Sequence, residues 1–588
     1  MTPQDLGLPQ KEFWPHQLWA LSALAELDTT VTLLDAPTGS GKTLLGAAWA
    51  RIHDRPLLYT CETKTLQTQF LGDFPDAVQV LGRANYPTLD YPQEFPEINC
   101  GDCTRKTKKA SCQWCSNTDQ CPYTIARDTA LGVDQVALNL AYWLKAANTG
   151  GSAWSYGGTD QPYTNRCWNC QAEVSSQHCP KCRTCGWLQC PSCGKCERGC
   201  SGGPYDPVRQ RGRYIVIDEA DMLESILLDQ LSVQIPVARL QVGHPITKNP
   251  TRKDGKRADW VPWMNVVSQA IEQRINTTKE RAEGSTGAQY AKAMRTVDYY
   301  EEMNRSLLLV RSDLEAGSDE WVQQQDKDYV SFKPIRLRAD RAKAVLWRHG
   351  QRFLLMSGTF VSHEAICSDL CLNPSEVGWV SVPGTYPAEN RRVFYYPTTT
   401  ASTYKNKDVA WVETANRMDE ILQAYPERVL VHGHSYALCR YLATASDFSR
   451  RILVHDSAKG RDKALEEYRA TPGAVLITPS LERGISLAGD QCRCVIVAKV
   501  PFPSLQDAQV AARLHTQGGQ LWYTITTIRT VIQQVGRLVR SIDDWGDAWI
   551  IDASFGRILR VVVQLCPYVA EALETDMALI RSRLRRVS

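Results

Sequence analysis

No apolar run in these 588 residues approaches the roughly 18–20 needed to cross a bilayer as a helix. The opening stretch, MTPQDLGLPQKEFW, carries acidic residues and no apolar centre, so it lacks the form of a secretory signal. Charge of one sign is scarce too. With 67 Lys and Arg against 64 Asp and Glu the net charge is +3, so contact with nucleic acid has to come from a local patch. These absences argue against a membrane protein and predict a cytoplasmic, reducing location. There, CxxC pairs bind metal more readily than they form disulfides.

What is present is a globular composition, 43% hydrophobic and 22% charged, in a chain too long for one core. Short apolar runs recur: VTLLDA (31–36), PLLYTC (56–61), YIVIDEA (214–220) and RFLLMSGT (352–359), then RVLVHGH (428–434), AVLITPS (474–480), CVIVAKV (494–500) and AWIIDAS (548–554). Several lack the alternation of a half-exposed strand, as expected for strands buried on both faces of a parallel sheet. Helix-like stretches such as TLLGAAWARIH (43–53) lie between them. The expected fold class is α/β, with two doubly wound parallel-sheet lobes.

LLDAPTGSGKT (33–43) follows a predicted strand and opens a predicted helix, which is the setting of a P-loop. Backbone N–H groups of Ala36, Thr38, Gly39, Ser40 and Gly41 would cradle phosphates at the helix N-terminus. Lys42 would reach the β- and γ-phosphates, and the Thr43 hydroxyl would ligate Mg²⁺. Asp218 ends an apolar strand and would hold the water shell of the same Mg²⁺, while Glu219 would polarise the attacking water. Gln533, Arg537 and Arg540 fall in TVIQQVGRLVR, and the two arginines, three apart on one helical face, would clamp γ-phosphate charge. They stand almost 500 residues after Lys42, so ATP is expected between the lobes, its site completed by closure.

In this order the motifs resemble those of superfamily 2 helicases, and more closely the XPD/DinG-like branch. FWPHQLWAL (13–21) looks like the adenine-side segment, with Gln17 as base-reading amide. TCETKTLQTQF (60–70), LGRANYP (81–87), CPYTIARDTA (121–130), VALNLAYWL (136–144), LLMSGTF (354–360), VLVHGHSYALCRYL (429–442) and LERGISLAGDQCRCVIVAKVPFPSLQD (481–507) continue the match. The resemblance implies two RecA-like motor lobes and ATP-dependent 5′→3′ translocation on single-stranded DNA. It also implies unwinding of forked DNA, and a monomer is expected. Lys64, Thr65, Gln69, His434, Ser435 and Arg483 are strand-contact candidates. Departures are Ser357-Gly358-Thr359 where the family has Ser-Ala-Thr, Ser486 in place of an acidic residue, and Asp221 where DinG-like proteins mostly carry His.

Two cysteine clusters remain. Cys100, Cys103, Cys112, Cys115 and Cys121 stand where the resembled family binds a [4Fe–4S] cluster, with Cys121 as the last ligand and Cys100 or Cys103 as the first. Spacing alone reads equally as a zinc site over 100–115. Further on, Cys167, Cys170, Cys179 and Cys182 read as one zinc-ribbon-like site. Cys185, Cys190, Cys193, Cys196 and Cys200 offer a second, so that two Zn²⁺ are expected with one thiol spare. Interleaved Trp168, Trp187, Lys181, Arg183, Lys195 and Arg198 suit nucleic acid or a protein partner alike. The other seven cysteines are expected as small core residues.

The expected division is a first lobe over 1–95, 126–145, 211–224 and 341–362, interrupted by a metal-cluster insertion (96–125), a zinc-binding insertion (146–210) and a helical arch (225–340). The second lobe follows at 363–588. A rival reading is a nucleic-acid-binding adaptor whose ATPase switches a zinc-ribbon recruitment module.

Overall fold

The structure is a computed structural model. It describes the chain except residues 90–98, 104–119, 149–163, 167–169, 171, 176–189, 194–212, 245–259, 286, 319, 404, 456–459, 480–486, 488, 537, 540 and 588. Two seven-stranded parallel sheets carry the architecture. The first runs Val377–Ser381, Val31–Asp35, Phe353–Ser357, Tyr214–Asp218, Leu57–Cys61, Gln135–Asn139, Val78–Val80. The second runs Ile452–Val454, Val475–Thr478, Val429–His432, Cys494–Val497, Asp547–Ile550, Val393–Tyr395, Leu573–Glu574. All eight apolar runs named above lie in these strands.

The missing alternation has a direct cause. In the first sheet Leu33, Ile217 and Leu355 feed a core on one face, while Leu34, Val216, Leu354 and Met356 feed a core on the other. The second sheet repeats this, with Leu430, Leu476 and Val495 on one side and Val431, Ile477 and Ile496 on the other. Both faces are covered, so neither set of alternating positions is free to be polar. Six of the seven scattered cysteines, Cys61, Cys367, Cys439, Cys492, Cys494 and Cys566, are buried in these cores, and Cys371 is half-buried.

The arch is a unit with its own core, but it is not wholly helical. Helices Trp260–Ala282 and Gly287–Glu315 pack beside a three-stranded antiparallel sheet of Val233–Pro236, Tyr329–Pro334 and Trp321–Gln325. Three expected boundaries shift. The helix Leu223–Leu231 puts Leu223, Leu227 and Leu228 into the first lobe's core, so the arch begins after it and not at 225. Leu337, Ala342 and Leu346 belong to that core too, so the arch ends before 340. Val377–Ser381 pairs with Val31–Asp35, which carries the first lobe past residue 362.

Candidate nucleotide site and metal-ligating cysteines

The strand Val31–Asp35 delivers the chain to a loop in which Gly39 and Gly41 take φ of 84° and 81°, a region that favours glycine. The helix Lys42–Ile52 then lies low on the sheet. A Cβ on Gly46 would come within 3.1 Å of both Met356 Sδ and Val216 Cγ1, so the small residue sets the depth of the loop. Lys42 Nζ donates to Ala36 O at 3.1 Å, folding the ammonium over the loop. Burial pushes the Asp35 carboxyl up to about 6, against the pull of Lys42.

Asp218 is buried at the end of its strand. Its Oδ2 accepts from the Tyr59 hydroxyl at 2.5 Å and its Oδ1 from the Glu219 N–H at 3.0 Å. Burial and the neighbouring carboxylate hold the Tyr59 phenol well above its ordinary range, so it stays a donor. Glu219 turns through a left-handed φ of 51°, which breaks the strand direction immediately after Asp218.

The segment 357–359, which stands where the resembled family has motif III, bonds to the P-loop and to the segment 218–221, which stands where it has motif II. Ser357 O accepts from Ala36 N at 2.9 Å, and Ser357 Oγ donates to Asp221 Oδ1 at 2.9 Å. A Cβ at Gly358 would sit 3.0 Å from Ala36 O and 3.4 Å from Pro37 Cα, which gives a physical reason for glycine at this place. From the second lobe, Gln533 Nε2 donates to Asp221 Oδ2 at 2.9 Å and to Thr359 Oγ1 at 3.2 Å. Asp221, the departure from DinG-like sequences, is the residue on which Ser357 and Gln533 converge.

Gln17, the expected base-reading amide, lies against the P-loop. Its Nε2 donates to Ser40 O at 3.0 Å and its Oε1 accepts from Trp14 N at 2.9 Å, so both ends of the amide brace the P-loop. Arg537, Arg540 and Arg483 lie outside the described residues. Of the strand-contact candidates, Lys64 Nζ donates to Asn85 Oδ1 at 2.7 Å. Ser435 caps its helix by accepting from Leu438 N, and His434 takes a φ of 57°.

A second junction between the lobes has no sequence signature. Arg513 donates to Glu224 Oε1 at 2.6 Å and Asp369 Oδ1 at 3.0 Å, and Arg529 donates to Asp369 Oδ2 at 2.9 Å. All four side chains are buried. Burial, with Asp369 alongside and against the pull of Arg513, pushes the Glu224 carboxyl up to about 7. Arg336, Arg338, Arg513 and Trp522 line an adjoining cavity of about 520 Å³.

Among the cysteines, Cys100 and Cys121 are buried with their sulfurs 3.7 Å apart. That matches one edge of a tetrathiolate on a single ion with Zn–S bonds of about 2.3 Å. Ligands on two irons of a cluster stand further apart, so a [4Fe–4S] group needs these two thiols to separate. The donors themselves, buried thiols, suit either group. Burial alone would raise the Cys121 thiol, but hydrogen bonds from Thr124 and Cys100 bring it below its ordinary value. Cys103 is described in its backbone alone, and Cys112 and Cys115 lie outside the described residues. In the second cluster Cys170 stands with Cys190 and Cys193, two cysteines that the sequence reading assigned to the second site. Cys167, Cys179, Cys182, Cys185, Cys196 and Cys200 lie outside the described residues.

The helicase C-terminal domain family matches residues 418–562, the heart of the second lobe. Over 254 residues the chain is 25% identical to the regulator of telomere elongation helicase 1 homolog of Drosophila virilis, covering 36% of this chain and 24% of that protein. It is 28% identical over 225 residues to the ATP-dependent DNA helicase YoaA of Haemophilus influenzae, covering 36% and 33%. The chain therefore spans only a quarter to a third of these relatives. Among solved structures it superimposes on S. tokodaii Xpd4 with a TM-score of 0.50 at 13% identity, over 95% of this chain and 98% of the other. An XPD helicase gives 0.52 at 14% identity over the same shares. The second lobe therefore matches the helicase C-terminal domain family, and the whole chain shares the fold of the XPD structures. Among the described residues no helix is long and apolar enough to cross a membrane.

Proposed function

We propose that this protein is an ATP-dependent DNA helicase that moves 5′→3′ on single-stranded DNA and opens forked duplexes by cycles of lobe closure. The observation that carries the reading is the reach of Gln533 from the second lobe to Asp221 and Thr359 of the first, beside Asp218. A nucleotide bound on the P-loop lies at that seam, so its γ-phosphate is in a position to bias the contact between lobes.

In this reading the P-loop N–H groups and Lys42 bind the phosphates. Thr43 and Asp218 hold Mg²⁺, which would neutralise charge on the β- and γ-oxygens when bound. Glu219 orients the water and takes its proton, and Arg537 and Arg540 stabilise the charge that develops on the transferring group. The first cysteine cluster holds a [4Fe–4S] group, with zinc as the alternative, and the 167–200 stretch holds Zn²⁺. The latter sits in an insertion of the first lobe and selects substrate or partner without entering the chemistry.

Strand displacement on duplexes with a 5′ or a 3′ single-stranded tail tests the proposal. ATP-dependent opening of the 5′-tailed substrate alone is expected. Opening of the 3′-tailed substrate alone would reverse the polarity, and opening of neither would remove the helicase reading.

A further inference from the structure

The sequence groups the nine cysteines of 167–200 in chain order, but the structure brings together three from separate parts of the stretch, Cys170, Cys190 and Cys193. Thr164–Arg166 pairs antiparallel with Glu173–Ser175, with Arg166 opposite Glu173. Cys170 lies in the chain between these two strands, and in the sequence it is the second cysteine of a CxxC pair with Cys167. A second turn, Pro191–Cys193, carries Cys193 and follows Cys190 directly. Cys170 Sγ and Cys190 Sγ are 3.5 Å apart, and the sulfurs of Cys170, Cys190 and Cys193 all lie within 4.8 Å of one another. A tetrahedral ion with Zn–S bonds of about 2.3 Å has an S–S edge of about 3.8 Å.

We infer that Cys170, Cys190 and Cys193 are three ligands of one zinc ion, and that the two ligand groups of this insertion are interleaved along the chain. Sequence spacing nominates Cys167, the CxxC partner of Cys170, as the fourth thiolate. Cys179, Cys182, Cys185, Cys196 and Cys200 are then left for the second ion. The order along the chain is first site, second site, first site, second site. Binding releases the thiol protons and changes no oxidation state. A module this short, with little apolar core, draws its folding energy from the metal. Interleaving makes each ion close a loop that contains ligands of the other, so neither half of the insertion folds alone. The inference rests on the reading of 167–200 as zinc-binding made above.

The test uses the full-length chain. Zinc is counted by mass spectrometry, and each cysteine is scored for alkylation by N-ethylmaleimide. In Cys170→Ser the zinc content is expected to fall by one ion, with Cys190 and Cys193 becoming alkylated while Cys179 and Cys182 stay protected. The double variant Cys170→Ser/Cys190→Ser should lose no more zinc than either single one. Alkylation of Cys179 and Cys182 with Cys190 and Cys193 still protected, or loss of two ions in the double variant, overturns the interleaving. Because a variant can misfold, the unmutated chain is also titrated with a chelator: Cys170, Cys190 and Cys193 should become reactive in step, and Cys170 becoming reactive apart from the other two overturns the site. A wild-type chain without zinc overturns the metal reading itself, which is a separate failure.

Discussion

Gly358 shows how much one residue settles at this site. Its missing Cβ lets the strand end of motif III press on Ala36 and Pro37, so the P-loop and motif III share a backbone contact. Gly358→Ala places a methyl 3.0 Å from a carbonyl oxygen that belongs to the phosphate loop. The loop must give way, at a cost of about 1–3 kcal/mol of stability, read from the midpoint of chemical unfolding, with a higher KM for ATP. Glu224 carries a pH prediction. Its carboxyl ordinarily titrates at 4.5 and is pushed up to about 7 in the fold. Between those values the folded state holds more protons than the unfolded one, so this group's contribution falls as pH rises through the window. Stability measured across pH 4.5–7 should therefore decline less in Glu224→Gln than in wild type.

At the scale of elements, the Arg513, Arg529, Glu224 and Asp369 cluster joins the helix that follows motif II and the one that follows motif III to two helices of the second lobe. Asp369 holds both arginines. Asp369→Ala leaves two buried guanidiniums short of a partner and should cost roughly 3–5 kcal/mol, read by chemical unfolding, with Asp369→Asn costing less. None of this was legible in the sequence, because the partners lie 144 to 289 residues apart and no local pattern marks them. The P-loop and Asp218–Glu219 were legible because their chemistry demands a fixed local spacing. The arch sheet was hidden for a further reason. WVQQQ offers few apolar positions, and Trp321–Gln325 becomes a strand by pairing with Tyr329–Pro334. The edge strand Val377–Ser381 likewise owes its place to pairing with Val31–Asp35, which put the lobe boundary beyond the reach of composition.

Over the whole molecule, two parallel-sheet lobes face each other across a seam where Asp221 meets Gln533, and the cysteine-bearing segments and the arch branch from the first lobe. The residues proposed to hold ATP all lie outside the insertion at 146–210. Deleting 167–200 should leave ATP binding in place and change substrate choice, as read by nucleotide titration beside a panel of DNA structures. The central claim is that ATP hydrolysis at this seam drives strand separation. Its most direct test is displacement from a forked duplex by wild-type protein and by Glu219→Gln, with ATP turnover followed in the same reaction. The account predicts that wild type displaces the strand only with ATP and Mg²⁺, and that Glu219→Gln still binds ATP while turnover and displacement fall together by roughly 10²–10⁴-fold. Displacement that persists in Glu219→Gln while its ATP turnover is lost would contradict it.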